Sequence, residues 1–104
     1  MVQQLYVSRH VSETKAAALL SDSWSIKIIS SLSGQRQRFT QLQHALGISS
    51  KTLSKRLKDL EQHAIVTRTL YAQVPLRVEY ELTEKGYELK GLFDELVQWD
   101  TKWA

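Results

Sequence analysis

Two short helical patterns separated by only three residues constrain the fold more than any other feature of the sequence. The first, at residues 39–46, repeats apolar side chains at helical spacing, and Gly47 is suited to the turn that ends many helices. The second runs from about residue 50 to residue 63, with Ser49 as its predicted N-cap. Two helices joined by so short a turn form a helix-turn-helix. The inward positions of the first helix are predicted to be Phe39, Leu42 and Leu46.

Two more helices are predicted on the N-terminal side of this motif. The first is SETKAAALL, with Ser12 as its predicted N-cap, and the second is WSIKIISSL, which either Asp22 or Ser23 could cap. The polar stretch SGQRQR is predicted to be a break between the second helix and the motif. One apolar stripe of the second helix consists of Trp24, Ile28 and Leu32.

After the motif the pattern changes from helical spacing to alternation. IVTRTLY and RVEYELT are rich in β-branched and aromatic residues, which predicts two strands of a hairpin, and Pro75 fits its tip. Thr83 is the predicted cap of a long final helix that ends near Lys102. The chain is therefore predicted to be mainly α with a small β-hairpin, a winged helix-turn-helix. We expect residues 1–104 to form a single domain of this kind.

Basic residues are concentrated in the middle of the chain. The net charge is +3, but residues 34–77 contain 8 basic and 2 acidic side chains, whereas residues 78–104 contain 3 basic and 7 acidic ones. Such a basic segment favours binding to a polyanion such as a nucleic acid, and the acidic final helix does not.

The second helix of the motif carries a basic stripe on the side opposite its leucines. One interpretation is a solvated face on which Lys55 pairs with Asp59 and Lys58 with Glu61. The other is a recognition surface for the DNA major groove, which is favoured by the helix's place in the motif and by the hydroxyl groups of its first turn. The stripe comprises Lys51, Lys55, Lys58 and Gln62, and the inward leucines are Leu53, Leu57 and Leu60.

The segments RFTQL, LGISSKTLSKRLKDLE, VTRTLY, VPLRVEYELTEKGYEL and QWDTKW occur in this order between about Leu19 and Trp103. In this combination the chain resembles the HxlR-type family of bacterial winged helix-turn-helix transcription regulators. The resemblance implies a homodimer that binds double-stranded operator DNA, with dimer contacts from the N-terminal region, where Leu5 lies, and from the final helix. We therefore expect a sequence-specific transcriptional regulator. The alternative is a winged-helix module for protein–protein interaction without specific DNA binding.

The predicted DNA contacts fall into three groups. The residues predicted to enter the major groove are Ser50, Lys51, Thr52 and Lys55. The predicted phosphate contacts are Arg38, Arg56 and Lys58. Arg36 and Arg38 could each be a phosphate contact or an ordinary loop charge, and Arg77 on the wing either enters a narrow minor groove or is a strand-end charge.

An apolar seam along the final helix is predicted to form the dimer interface. Its members recur about every 3.5 residues, a spacing that favours a helix partner. They are Leu89, Leu92, Phe93, Leu96, Trp99 and Trp103. The alternative for the two tryptophans is that they pack on their own domain.

The sequence departs from the family pattern at two places. Many members have a cysteine before the first helix, which some use to sense oxidants, but this chain contains no cysteine. Ala64 stands where a glycine is usual, after the recognition helix. A left-handed backbone conformation at this position would cost about 1–2 kcal/mol for an alanine. The chain could therefore leave the helix with a different backbone conformation.

Other classes of function lack a supporting motif. His10, His44 and His63 do not match the spacing of a familiar metal site, and there is no nucleophile–base pair, P-loop or dinucleotide fingerprint. We therefore expect no enzymatic activity, no cofactor and no metal. The chain contains no apolar run long enough for a transmembrane helix, and its first residues do not have the apolar region of a signal peptide. A cytoplasmic location is therefore expected. The sequence does not indicate whether a small effector binds.

Overall fold

A computed structural model describes residues 10–104, so the predicted interface residue Leu5 lies outside the described part of the chain. Five helices and three strands follow a short 3₁₀ turn at Val11–Glu13. In chain order they are α1 (Lys15–Leu20), α2 (Ser23–Leu32), β1 (Gln37–Arg38), α3 (Phe39–Leu46), α4 (Ser50–Gln62), β2 (Val66–Tyr71), β3 (Arg77–Leu82) and α5 (Glu84–Trp103). The predicted mainly α winged helix-turn-helix is confirmed, with α3 and α4 as its motif.

Local capping explains most helix starts. Asp22, Ser49 and Thr83 each accept a hydrogen bond from a backbone N–H of the first turn of α2, α4 and α5, as predicted. The predicted cap Ser12 is wrong, because that residue lies in the 3₁₀ turn and Thr14 caps α1 instead, accepting from the Ala17 N–H at 3.1 Å.

The helices and the sheet enclose one apolar core. Ile28, Leu42, Leu53 and Leu60 are each fully buried in it, which confirms the inward positions predicted for α2, α3 and α4. Phe93, predicted at the dimer interface, also belongs to this core and is only 6% exposed. Its remaining exposed edge lines the apolar groove between α1 and α5, so its place at a dimer interface stays a prediction.

A third strand was missed within the predicted polar break. Gln37 and Arg38 pair antiparallel with Tyr80 and Glu79, so the sheet has the order β1-β3-β2. Gln37 is buried and its side-chain amide donates to the Ser31 carbonyl oxygen at 2.5 Å. A strand of two polar residues has no alternating pattern to reveal it. It fixes the loop before α3 against the wing.

The end of α4 keeps the left-handed turn even though an alanine occupies it. Ala64 has a φ of 57°, and its N–H donates to the Glu61 carbonyl oxygen at 3.0 Å. The Ile65 N–H donates to the Leu60 carbonyl oxygen at 2.9 Å, which completes a Schellman motif. Burial of Leu60 and Ile65 in the core supplies the apolar contact that accompanies this motif and offsets the strain at Ala64.

The start of α5 holds this end of α4 in place. The Thr83 hydroxyl donates to the Ala64 carbonyl oxygen at 2.6 Å, and Lys85 Nζ donates to the His63 carbonyl oxygen at 2.7 Å. Gly86 allows the close approach, since a Cβ there would collide with the Ile65 carbonyl oxygen. The recognition helix and the final helix are therefore joined at a tight junction.

Candidate nucleic-acid interface

The solvent side of α4 is fixed by burial of its other side. Leu53, Leu57 and Leu60 are almost completely inaccessible, so the helix cannot rotate without exposing them. The residues that consequently lie exposed on the outer side are Ser50, Lys51, Ser54, Lys55, Lys58 and Gln62. The structure thus brings the predicted basic stripe together on one exposed face.

The ion pairs that would make this stripe a self-neutralised surface are not formed. Asp59 instead pairs with Lys15 of α1, at 3.2 Å, and its carboxylate lies 3.4 Å from His63 Nδ1. Among residues 10–104, neither Lys55 nor Lys58 has a carboxylate oxygen within 4.0 Å of its ammonium group. Both lysines therefore keep their full charge for a polyanion.

The first turn of α4 supplies polar groups next to these lysines. Ser49 accepts the Thr52 N–H at 3.2 Å and donates its hydroxyl to Thr52 Oγ1 at 2.9 Å. Ser50 and Lys51 remain exposed beside this cap. The positive end of the helix dipole adds to their attraction for an anion.

Arg56 is placed differently from the lysines. It is half-buried, and its Nε lies 2.5 Å from Asp22 Oδ2, an electrostatic contact without hydrogen-bond alignment. Because Asp22 is also the N-cap of α2, the contact links α4 to the start of α2. Arg56 therefore helps to hold the helix in position.

Arg36, in the loop just before β1, is surrounded by acceptors. Its Nη1 donates to the Tyr71 hydroxyl at 2.7 Å, its Nε lies 3.4 Å from Glu81 Oε2, and Nη1 lies 3.9 Å from Glu79 Oε1. The Glu81 carboxylate, with Tyr71 and Glu79, raises the pKa of Arg36 above its ordinary value. Its positive charge is thus balanced by acids of β3.

Arg77 shares the same acidic neighbours. Its Nε lies 3.6 Å from Glu79 Oε2, and its guanidinium stacks over the Tyr71 ring at 4.1 Å from the centroid. At the wing tip beside it, Val74 and Leu76 are exposed. Arg38, by contrast, is exposed at the N-cap of α3 and has no ion pair within the described residues.

One basic residue near the lysine face was overlooked. Arg68 lies on β2 and lines a groove of about 290 Å³ with Lys58, Ser54 and Glu61 of α4. The alternation along β2 could have predicted this position, because Arg68 lies on the same strand face as buried Val66 and therefore faces α4.

The seam on α5 divides between the core and the surface. Leu89 packs partly against the core, but the other predicted members apart from Phe93 are exposed, from 50% for Leu96 to 67% for Trp103. Together with Ala16 and Leu20 of α1, the seam borders an apolar groove of about 360 Å³. The exposed members are Leu92, Leu96, Trp99 and Trp103.

Two other kinds of feature are absent from residues 10–104. No described helix is long and apolar enough to cross a membrane. Within the same residues, no group of three or more histidine or acidic side chains is arranged to hold a metal ion.

Sequence comparison and structure comparison both find transcriptional regulators that are similar to this chain. The chain is 39% identical over 90 residues to the HTH-type transcriptional regulator YvaP of Bacillus subtilis, covering 86% of this chain and 83% of that protein. It is 40% identical over 85 residues to YodB of the same organism, covering 81% and 76%. Reduced YodB superposes with a TM-score of 0.79 at 37% identity, covering 88% of this chain and 90% of that one. A MarR-family regulator from Enterococcus faecalis superposes with a TM-score of 0.80 at 28% identity, covering 92% and 94%.

These relatives are transcriptional regulators, which confirms the prediction that the chain is not an enzyme. The model of the HxlR-like helix-turn-helix family matches residues 19–104, the whole segment that contains the motif, the wing and the final helix. The chain therefore belongs to the HxlR-like helix-turn-helix family of transcriptional regulators.

Proposed function

We propose that this regulator acts as a homodimer that binds a specific double-stranded DNA sequence through α4. The observation that carries the proposal is the exposed lysine face of α4, whose Lys55 and Lys58 have no acidic partner within the described residues. Clustered free cations are favoured on a DNA-binding surface because each phosphate contact releases a condensed counterion. The surface also belongs to the second helix of the motif, which is the one that enters the major groove.

Different residues of this face have different tasks. The first turns of α4 enter the groove, so Ser50, Lys51, Thr52 and Lys55 face base edges. Lys58 lies further along the helix and, with the overlooked Arg68 across the groove, faces the sugar–phosphate backbone. Arg38 adds a phosphate contact at the start of α3. Arg56 contributes mainly by holding α4 against Asp22.

The wing makes a second, weaker contact. Arg77 is presented beside the exposed wing tip and can follow a narrow minor groove, where an arginine is electrostatically favoured. Its pairing with Glu79 and its stacking on Tyr71 reduce the charge that it offers. Arg36 contributes less still, because Glu81 and Glu79 already balance it.

The exposed side of α5 supports the dimer. Leu92, Leu96, Trp99 and Trp103 form an apolar surface that a monomer would leave in water. A second copy would cover it by two-fold symmetry, with the apolar groove beside α1 available for its side chains. Two α4 helices related in this way would contact half-sites about one helical turn, roughly 34 Å, apart.

Selection of bound sequences from a random duplex pool, followed by fluorescence anisotropy on the selected and a scrambled duplex, tests specificity. A palindromic sequence bound at least about 1,000-fold more tightly than the scrambled duplex is expected. Equal affinity for both duplexes would contradict sequence-specific binding.

Sedimentation tests the dimer separately. Leu96→Glu places a charge in the proposed interface and should give monomers with weak binding to the selected duplex. The matched control is Gln98→Glu, which adds the same charge at an already exposed polar position of α5. A monomeric parent at micromolar concentration would contradict the dimer.

The second candidate, a protein-interaction module, is favoured only by the exposed Val74 and Leu76 at the wing tip. Binding of nonspecific duplex at low salt discriminates the two candidates, since an interaction module should bind poorly.

Thiol chemistry is not part of the proposed regulation. Solved structures of YodB include diamide-treated and quinone-bound forms of that protein. Because this chain has no cysteine, its DNA affinity should be the same with and without diamide.

A further inference from the structure

A cavity of about 260 Å³ lies at the junction of α1, the end of α4 and the start of α5. It adjoins the apolar groove further along α5 and shares Ala16, Leu89 and Leu92 with it, but its charged residues line the cavity alone. Its floor is aliphatic, formed by Leu19, Ile65, Leu89 and Leu92. Its remaining wall is charged and includes the side chains of three basic residues but only one acid, Glu88. The basic residues are Lys15, His63 and Lys85.

The two lysines of this wall also hold the last turn of the recognition helix. Lys15 Nζ lies 3.2 Å from Asp59 Oδ2, and Lys85 Nζ lies 2.7 Å from the His63 carbonyl oxygen. Both contacts are exposed, so each contributes little to stability and can be exchanged for another acceptor at small cost. The cations of the cavity are thus connected to the DNA-binding element.

We propose that this cavity binds a small amphipathic organic anion that regulates α4. Its apolar part packs on Leu19, Ile65 and Leu89, and its carboxylate lies between Lys15 and Lys85. An inorganic anion would leave the aliphatic floor uncovered, and a neutral apolar molecule would make no ionic contact with the two lysines. The volume lies just under the roughly 300–1,000 Å³ of pockets for drug-sized ligands, which favours a single ring or a short chain.

Such a ligand would act through competition for the lysines. Its carboxylate would replace Asp59 and the His63 carbonyl oxygen as acceptors, which loosens α4 from α1 and α5. This consequence rests on the proposed function, because α4 is the DNA-binding helix there. Linkage requires that DNA binding change ligand affinity by the same factor as the ligand changes DNA affinity.

An NMR titration of the free full-length protein tests the site without DNA. Benzoate and octanoate are added separately, with benzyl alcohol as a neutral control at matched ionic strength. We expect saturable shifts of the amides of Ile65, Lys85 and Leu89 with at least one acid and not with the alcohol. Equal shifts with benzyl alcohol, no saturable shift, or shifts centred on Trp99 would each overturn the proposal.

Three variants establish which groups bind. Lys85→Gln keeps the stem but removes the charge and should weaken acid binding at least fivefold, whereas Lys90→Gln, on the same helix but outside the cavity, should not. Ala16→Phe should fill the cavity and abolish acid binding while both lysines remain, and sedimentation of this variant checks that the dimer persists, since Ala16 also borders the groove of the proposed interface. Equal effects of Lys85→Gln and Lys90→Gln would indicate only a general charge effect and overturn the site.

The DNA arm is separate. The acid that binds should weaken binding of the selected duplex by the parent but not by Lys85→Gln. A protein that binds DNA but neither acid refutes the cavity proposal alone, and one that binds an acid but no DNA refutes the proposed function alone. Acid binding without any change in DNA affinity overturns the regulatory part.

Discussion

The recognition helix exposes lysines that no acid within residues 10–104 neutralises, whereas two arginines next to strand β3 of the wing are paired with acids. Lys55 and Lys58 have no carboxylate within 4.0 Å among the described residues, although Asp59 lies on the same helix. Arg36 before β1 and Arg77 on the wing both contact acids of β3. The difference arises because Lys15 of α1 draws Asp59 away from the stripe, whereas β3 brings its acids directly beside the arginines.

A charge count along the chain therefore overestimates the basic surface. Residues 34–77 appear strongly basic because Glu79 and Glu81 fall in the next segment of the sequence. Strand pairing brings these two acids back onto Arg36 and Arg77. What attracts DNA is the charge left over after folding, which is concentrated on α4.

The largest effect is expected for Lys55→Ala. Loss of a contact to a base edge should cost about 1–3 kcal/mol on the selected duplex. The loss on scrambled duplex should be smaller. Anisotropy on both duplexes measures it, with Lys90→Ala on α5 as the control. An equal loss of affinity for the two duplexes would show that Lys55 contacts phosphate and not a base edge.

A smaller, uniform effect is expected for Lys58→Ala. If Lys58 contacts a phosphate, the variant should bind both duplexes more weakly by the same factor. The slope of log affinity against log salt should fall in magnitude by about 1. A salt series from low to physiological concentration gives the slope. An unchanged slope would show that the free charge of Lys58 is not used.

A gain of affinity is expected for Glu81→Gln. The amide keeps the shape of the side chain but no longer balances Arg36, whose nearest carboxylate contact it forms. The variant should bind both duplexes about two- to fivefold more tightly, with a steeper salt slope, because an added free cation near DNA releases up to one more counterion. Weaker binding would instead identify Arg36 and Glu81 as a clamp that positions the wing for DNA.

The smallest effect on DNA affinity is expected for Ala64→Gly, which changes no charge. Relief of the left-handed alanine should raise the free energy of unfolding by about 0.5–1 kcal/mol, net of the added flexibility of the unfolded chain. Urea denaturation monitored by circular dichroism measures this change. A less stable variant would contradict the strain assigned to Ala64.

The sequence predicted elements whose causes are local. The caps Asp22, Ser49 and Thr83 and the inward leucines of α4 follow from spacing and hydrogen-bonding capacity within one turn. The burial of Phe93 was not predicted, because α5 has two apolar sides and a repeat near 3.5 residues does not distinguish the side that packs on the core from the side that does not.

Features that depend on distant partners were not predictable. The two-residue β1 exists only because β3 pairs with it, and Asp59 leaves the lysine stripe only because Lys15 approaches from α1. The contacts of Arg36 with Tyr71, Glu79 and Glu81 likewise join residues far apart in the chain. No periodicity within a single element contains this information.

The most direct test of the account compares salt slopes of two multiple variants on the selected duplex. The triple variant Lys51→Ala, Lys55→Ala, Lys58→Ala should reduce the slope by about 2–3, because each free cation that contacts DNA contributes about 1. The double variant Arg36→Ala, Arg77→Ala, whose charges are already balanced by β3, should change the slope by less than about 1. A larger reduction in the double variant than in the triple variant would contradict the claim that the free lysines of α4 form the DNA-binding surface.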